Sequence, residues 1–236
     1  MTLRVEGLGV EFDGASVLED VSFESRPGQI TAIIGPPASG KTVLLKAVAG
    51  LVRPACGIIS HNRMTVSGSR EWQRRIGMAF QNDALFDAMT VAENVAFPLR
   101  RAGASDADDR ARAMLERVGL AHAAGKLPSE ISGGMRRRCG IARAAIVDPA
   151  IGLFDDPSAG LDPETSDQIF ELIRTQAADN VCLVVSNALP SVLAVANQVL
   201  MLHRGRVEFV GTPEEIGRAE HPVVHQFVRG AVEGPL

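Results

Sequence analysis

Gly35-Pro36-Pro37-Ala38-Ser39-Gly40-Lys41-Thr42 has glycine at its first and sixth positions and ends in Lys-Thr, the spacing G-x-x-x-x-G-K-[ST] of a phosphate-binding loop. The pattern needs a strand before it and a helix after it. Gln29–Ile34 (Q-I-T-A-I-I) is a short apolar, β-branched run and reads as a buried strand. Val43–Ala49 is apolar at helical spacing, and Gly50 is a natural stop. In that setting a row of backbone N–H groups and a positive helix end face an anion. Lys41 is expected at the β- and γ-phosphates and the Thr42 hydroxyl at Mg²⁺.

The surrounding chain fits such a site. Its 236 residues allow one large domain or two small ones, and 46% hydrophobic with 22% charged residues is ordinary for a globular protein. A net charge of −4 argues against nucleic acid as a partner. Cys56, Cys139 and Cys182 lie far apart with no C-x-x-C pair, so they read as thiols in a reducing compartment. No apolar run approaches a membrane span and no signal-peptide pattern is present, so work at a membrane would require a partner.

Working outward, the first thirty residues alternate apolar and polar around an Asp13-Gly14 turn, an antiparallel hairpin leading into the loop's strand. Ile58-Ile59 reads as further short β structure and Arg74–Phe80 as a strand ending at Gln81. From Asn82 to about Arg143 the pattern is helical, with an amphipathic helix over Ala107–Val118. Strands then return at Ala150–Phe154, Val181–Val185, Val199–His203 and Arg206–Val210, with a helix over Pro163–Ala178 and a capping box at Thr212–Glu215. The order implies an α/β architecture: a mostly parallel, doubly covered sheet, an N-terminal antiparallel part, and a helical insert on one edge.

Asp155 follows the Ala150–Phe154 strand, where a carboxylate can hold Mg²⁺ opposite Thr42; Asp-Pro also marks turns. Ile131-Ser132-Gly133-Gly134-Met135 precedes an Arg-rich helix, so Ser132 and the N–H groups of Gly133 and Gly134 form a second anion site. With Gln81, Leu153-Phe154-Asp155-Asp156-Pro157, Ser158-Ala159-Gly160-Leu161-Asp162 and Val185-Ser186-Asn187, these motifs run in order over nearly the whole chain. The chain resembles the ATP-binding subunit of ABC transporters, P-loop NTPases of ABC type. The resemblance implies a single ATPase domain over residues 1–236, with its helical insert over about 83–143. It also implies MgATP as ligand, bound by Phe12 and by Gly35 through Val43, with Thr42, Gln81 and Asp155 around the metal. Asp156, Gln81 and Asn187 hold the catalytic positions. Ser132, Gly133, Gly134 and Asp162 act in trans across a head-to-tail homodimer.

The segment from Gln81 to Arg100 looks like the permease-docking surface of the ATPase of Mla/Mce-type bacterial lipid transporters, and Met135 in the signature fits that branch. The tail from about residue 217 to 236 resembles an extension that reaches the neighbouring subunit. Val223, Val224, Phe227 and Val228 give it an apolar stripe at helical spacing. The branch implies a phospholipid or related cargo, a separate membrane permease, a small regulatory subunit as a further candidate partner, and a peripheral place on the cytoplasmic face of the inner membrane.

Four positions depart from the family pattern. Asp156 stands in place of a catalytic Glu and Asn187 in place of the switch His; Val43 lacks the usual hydroxyl; Pro37 and Ala38 sit where Ser/Asn and Gly are common. The shorter acid draws its carboxylate back by roughly 1.5 Å, and a misplacement of about 1 Å can cost on the order of 10²-fold in rate. Nucleotide binding is therefore expected to survive while hydrolysis is slow. The competing reading is a nucleotide-binding regulatory or assembly subunit with little ATPase activity.

Overall fold

Alternation builds the first sheet. In β1 (Leu3–Phe12) and β2 (Ala15–Ser25), the residues Leu3, Val5, Leu8, Val10, Leu18, Val21 and Phe23 are buried. The strands pair antiparallel through Asp13-Gly14, both at positive φ (50° and 80°), as a two-residue hairpin loop requires. β4 (Cys56–His61) pairs with β1 and β5 (Met64–Thr65) with β4, giving the order β2-β1-β4-β5. The computed structural model describes residues 1–62, 64–66 and 70–231.

The second sheet grows from strands that are apolar on both faces. β3 (Ile30–Ile34), β7 (Ile151–Asp155) and β8 (Val181–Val185) are buried throughout, as parallel strands covered on two sides must be. With β6 (Ile76–Ala79), β9 (Gln198–His203) and β10 (Arg206–Gly211) the order is β10-β9-β3-β8-β7-β6. Only the β9–β10 pairing is antiparallel. Successive residues feed opposite layers. Val181, Leu183 and Val185 join a core under α1 (Lys41–Val48) and the first sheet. Cys182 and Val184 join one under α6 (Pro163–Gln176) and α7 (Leu189–Val195). A short α2 (Arg70–Gln73) places Trp72, buried, with its indole Nε1 donating to Val48 O at 2.8 Å.

The helical insert has a core of its own. α3 (Val91–Arg101), α4 (Ala107–Arg117) and α5 (Gly133–Ala145) enclose Val91, Val95, Leu99, Met114, Leu115 and Leu120. α5 lies against β6, so the insert sits at that edge of the second sheet. The expected helical stretch starts later than the sequence pattern indicates: residues 81–90 form turns and irregular backbone. Asp83 and Ala84 are left-handed (φ 58° and 48°), which no helix accommodates. The helix begins only where Thr90 caps it, its Oγ1 accepting from Glu93 N at 3.2 Å while Glu93 Oε2 accepts from Thr90 N at 2.8 Å.

The C-terminal stripe lies on a helix. In α9 (Pro222–Arg229), Val224 is fully buried and Val223, Phe227 and Val228 pack on the second sheet's outer core, beside α8 (Pro213–Gly217) and β10. Within this chain the stripe leans on its own core, as an amphipathic helix does, and Val223, Phe227 and Val228 stay partly exposed. Val232, Glu233, Gly234, Pro235 and Leu236, also part of the expected extension, lie outside the described residues. Among the described residues no helix is long and apolar enough to cross a membrane.

Candidate functional site

Parallel strands bring the first set of residues to one edge. The phosphate loop leaves β3, Asp155 ends β7, and Asn187 follows β8, which lies between them. Ala79 of β6 is level with Phe154 of β7, so Gln81 leaves the sheet one strand from Asp155. Ligands bind outside such carboxyl ends in open α/β sheets.

The loop's glycines are required by space. A Cβ on Gly35 (φ 143°) would lie 2.0 Å from Leu202 O, and one on Gly40 (φ 100°) would lie 2.5 Å from Leu18 Cδ2. Ala38 is itself left-handed at φ 59°, which explains why glycine suits that position. Ser39 is buried and its Oγ has no protein hydrogen-bond partner. Such an orphan next to a ring of loop N–H groups fits an anion. Lys41 is buried, with Nζ donating to Gly35 O at 2.7 Å and to Pro36 O at 2.8 Å. Burial lowers its pKa below the usual 10.5, opposed by the charges of Asp156 and Asp155. Thr42 Oγ1 donates to Asp155 Oδ1 at 3.0 Å. Burial raises the Asp155 pKa above 3.8, the Thr42 hydrogen bond opposes this, and Asp156 reinforces it. Val43 lies half-buried in the first turn of α1.

Asp156 is buried and left-handed (φ 46°), a conformation aspartate adopts more readily than most residues. Asn187 fixes its side chain. Its Nδ2 donates to Asp156 Oδ2 at 2.8 Å and its backbone N to Oδ1 at 3.4 Å. Phe12 ends β1 with 46% of its surface exposed.

Ser132, Gly133, Gly134 and Asp162 gather elsewhere. Ser132 caps α5, its Oγ accepting from Met135 N at 3.3 Å, and Gly133 opens onto solvent. A Cβ on Gly134 would come within 3.2 Å of Thr165 Cγ2. Thr165 is in turn held by Asp162, which accepts from Thr165 N at 2.9 Å and from Thr165 Oγ1 at 2.7 Å; the backbone bond, then the hydroxyl, pull the Asp162 pKa down. No hydrogen bond among the described residues joins this cluster to Lys41, Thr42 or Asp155.

Three residues at the site went unassigned from sequence. Arg137 and Arg143 of α5 and the buried Asn94 of α3 hold residues 80–90 in place. The Arg-rich run was visible. What it held was not, because the partners are carbonyls set by the turn at Asp83.

A phosphate loop after β3 and a carboxylate at the end of β7, with β8 between them in a parallel sheet, define a nucleotide-binding α/β cassette of the P-loop class. The family profile described as ABC transporter matches residues 18–159. The chain belongs to the ABC transporter family. It is 38% identical over 98% of its length to the sulfate/thiosulfate import ATP-binding protein CysA 2 of Rhizobium meliloti, spanning 65% of that protein. It is 35% identical over its full length to the probable ribonucleotide transport ATP-binding protein mkl of Mycobacterium leprae, spanning 71% of it. The chain thus spans about two thirds of the length of these curated relatives. A solved structure of an ATP-binding subunit of an ABC transporter superposes with a TM-score of 0.82 at 27% identity, covering 92% of both chains. A dimeric ATP-binding cassette solved with ADP and Pi gives 0.81 at 24% identity, over 89% of this chain and 98% of that one, and shares the fold.

Proposed function

We propose that this chain binds MgATP between its phosphate loop and the signature corner of a second copy, hydrolyses it slowly, and drives a separate membrane permease moving phospholipid or a related lipid. The observation that carries the nucleotide reading is the Lys41–Thr42–Asp155 corner: a buried ammonium, a hydroxyl and a buried carboxylate on adjoining elements. Lys41 trades its bonds to Gly35 O and Pro36 O for phosphate oxygens, a charge-assisted exchange. Mg²⁺ fits here with Thr42 and Asp155 as its protein oxygens and Gln81 one strand away. Among the described residues no three His, Cys, Asp or Glu could hold a metal, and this ion ordinarily takes one or two carboxylates plus phosphates and water. When bound it offsets charge on the phosphates. Asp156 orients the water that attacks the γ-phosphorus, releasing ADP and phosphate.

Ser132, Gly133, Gly134 and Asp162 share no hydrogen bond with Lys41 among the described residues, which is compatible with a role in trans. Lipid as cargo rests on the Gln81–Arg100 segment and Met135; relatives named for sulfate/thiosulfate, ribonucleotide and methionine transport are the competing cargo classes. The test is affinity purification of the full chain from membranes, then phospholipid transfer between vesicles by the recovered complex. Copurified permease with MgATP-dependent lipid movement supports the reading. MgATP-dependent uptake of a small polar solute in its place overturns the lipid assignment.

One observation favours a second reading, a nucleotide-binding regulatory subunit with little turnover: both carboxylate oxygens of Asp156 already face donors of Asn187. Nucleotide binding with no phosphate release, even in the permease complex, selects it.

A further inference from the structure

Arg137 serves three chain segments at once. It sits on the second turn of α5 with 10% of its side chain exposed. Its Nη1 lies 2.7 Å from Asp83 Oδ1 and donates to Gln81 O and, at 3.5 Å, to Phe80 O. Because that N–H is aimed at the carbonyls, the approach to Asp83 is a charge contact and not an aligned hydrogen bond. Nη2 reaches the other way and donates to Ala159 O at 3.3 Å. Ala159 N donates to Asp156 O at 3.1 Å, so one guanidinium stands two hydrogen bonds from the backbone of Asp156 and one from that of Gln81. Arg143 completes the grip, donating to Ala84 O at 2.7 Å and Asp83 O at 2.8 Å.

This arrangement exceeds what packing needs. Two consecutive left-handed non-glycine residues persist where neighbours over-determine them, and here the neighbours are Arg137 and Arg143 of α5, far along the chain. Burial raises the Asp83 pKa, while Arg137, Arg136 and Arg143 pull it down, and Asp83 is the carboxylate in contact with Arg137. The N-terminus of that same helix carries Ser132, Gly133 and Gly134.

We propose that Arg137, through its contact with Asp83, is a positioning residue that makes the signature corner, Gln81 and the Asp156 loop move as one unit when nucleotide arrives. This rests on the nucleotide reading above. A planar fork can hold carbonyls on two sides and a carboxylate together; a lysine ammonium, a compact point charge, cannot span them.

The test is hydrogen–deuterium exchange on the full chain with MgATP as the probe. In the wild type, MgATP slows exchange at residues 35–42, 80–84 and 133–137. In Arg137→Gln and Asp83→Asn, protection at 35–42 persists while that at 80–84 and 133–137 falls by about tenfold, within the range expected for residues in direct contact. The double variant is no worse than either single, and Arg137→Lys restores nothing. Asp83→Asn keeps the side-chain shape and serves if Arg137→Gln fails to fold. Wild-type protection at all three segments in both single variants overturns the proposal. Loss at all segments together, in step with a lowered melting temperature, also overturns it and leaves a structural role. No protection at 35–42 in the wild type, or protection that survives Lys41→Ala, overturns the nucleotide reading and this proposal with it.

Discussion

The Lys41–Thr42–Asp155 corner and the Asp156–Asn187 corner share one sheet edge and, in the proposed function, serve different tasks. In the first, each side chain is held by a contact a ligand can replace: Lys41 on loop carbonyls, Thr42 on Asp155. In the second, the Asp156 carboxylate is bracketed by the amide and backbone N–H of Asn187. Binding needs a fixed charge near a phosphate and tolerates small displacement. Turnover needs a carboxylate placed to within an ångström. Changes at one corner can therefore slow the reaction while leaving affinity intact.

The largest effect that tests this contrast comes from the first corner. Lys41→Ala removes two hydrogen bonds from a charged donor, worth about 3 kcal/mol together once they are made to phosphates, or on the order of a hundredfold in MgATP affinity by fluorescence titration. Unchanged affinity would falsify the binding assignment. At the second corner, Asp156→Glu combined with Asn187→His raises the phosphate-release rate by up to about 10²-fold with little change in affinity. Each single change does less, since a longer acid alone still meets the Asn187 amide. A flat rate in the double variant shows that carboxylate reach does not limit turnover.

Acidity probes the first corner from both of its charges. The Asp155 pKa is raised, mainly by burial, so its carboxylate is lost as pH falls through a value above 3.8. The Lys41 pKa is lowered by burial, so its charge is lost as pH rises through a value below 10.5. MgATP affinity, followed by calorimetry across pH, is expected to decline on both limbs by about tenfold per unit past each pKa. Limbs at the ordinary 3.8 and 10.5 would contradict the burial of this corner. The smallest effect is Ala38→Gly, which relieves a left-handed alanine at some entropic cost. It should raise stability by about 0.5 kcal/mol, or roughly 1–2 °C in Tm. A drop in Tm would show that the loop draws rigidity from that methyl group.

Much of this was readable along the chain. Val181–Val185 is apolar at every position, which only a doubly covered strand explains, and Asp13-Gly14 announced its hairpin. Asn82–Thr90 misled because Ala84, Leu85 and Met89 mimic a helical face, whereas Arg137, Arg143 and Asn94 hold the backbone in turns through bonds from distant elements. The valine–phenylalanine stripe of α9 announced burial but not the surface that would cover it.

The sequence by itself determined the phosphate loop and the order of strands and helices, because these depend on local spacing and residue type. Only the tertiary structure decided that Asn187 clamps Asp156, that α9 folds back on its own chain, and that Arg137 ties α5 to the loops at residues 80–83 and 159. Those contacts form between segments far apart in sequence, and their geometry is fixed by packing, to which no local pattern refers.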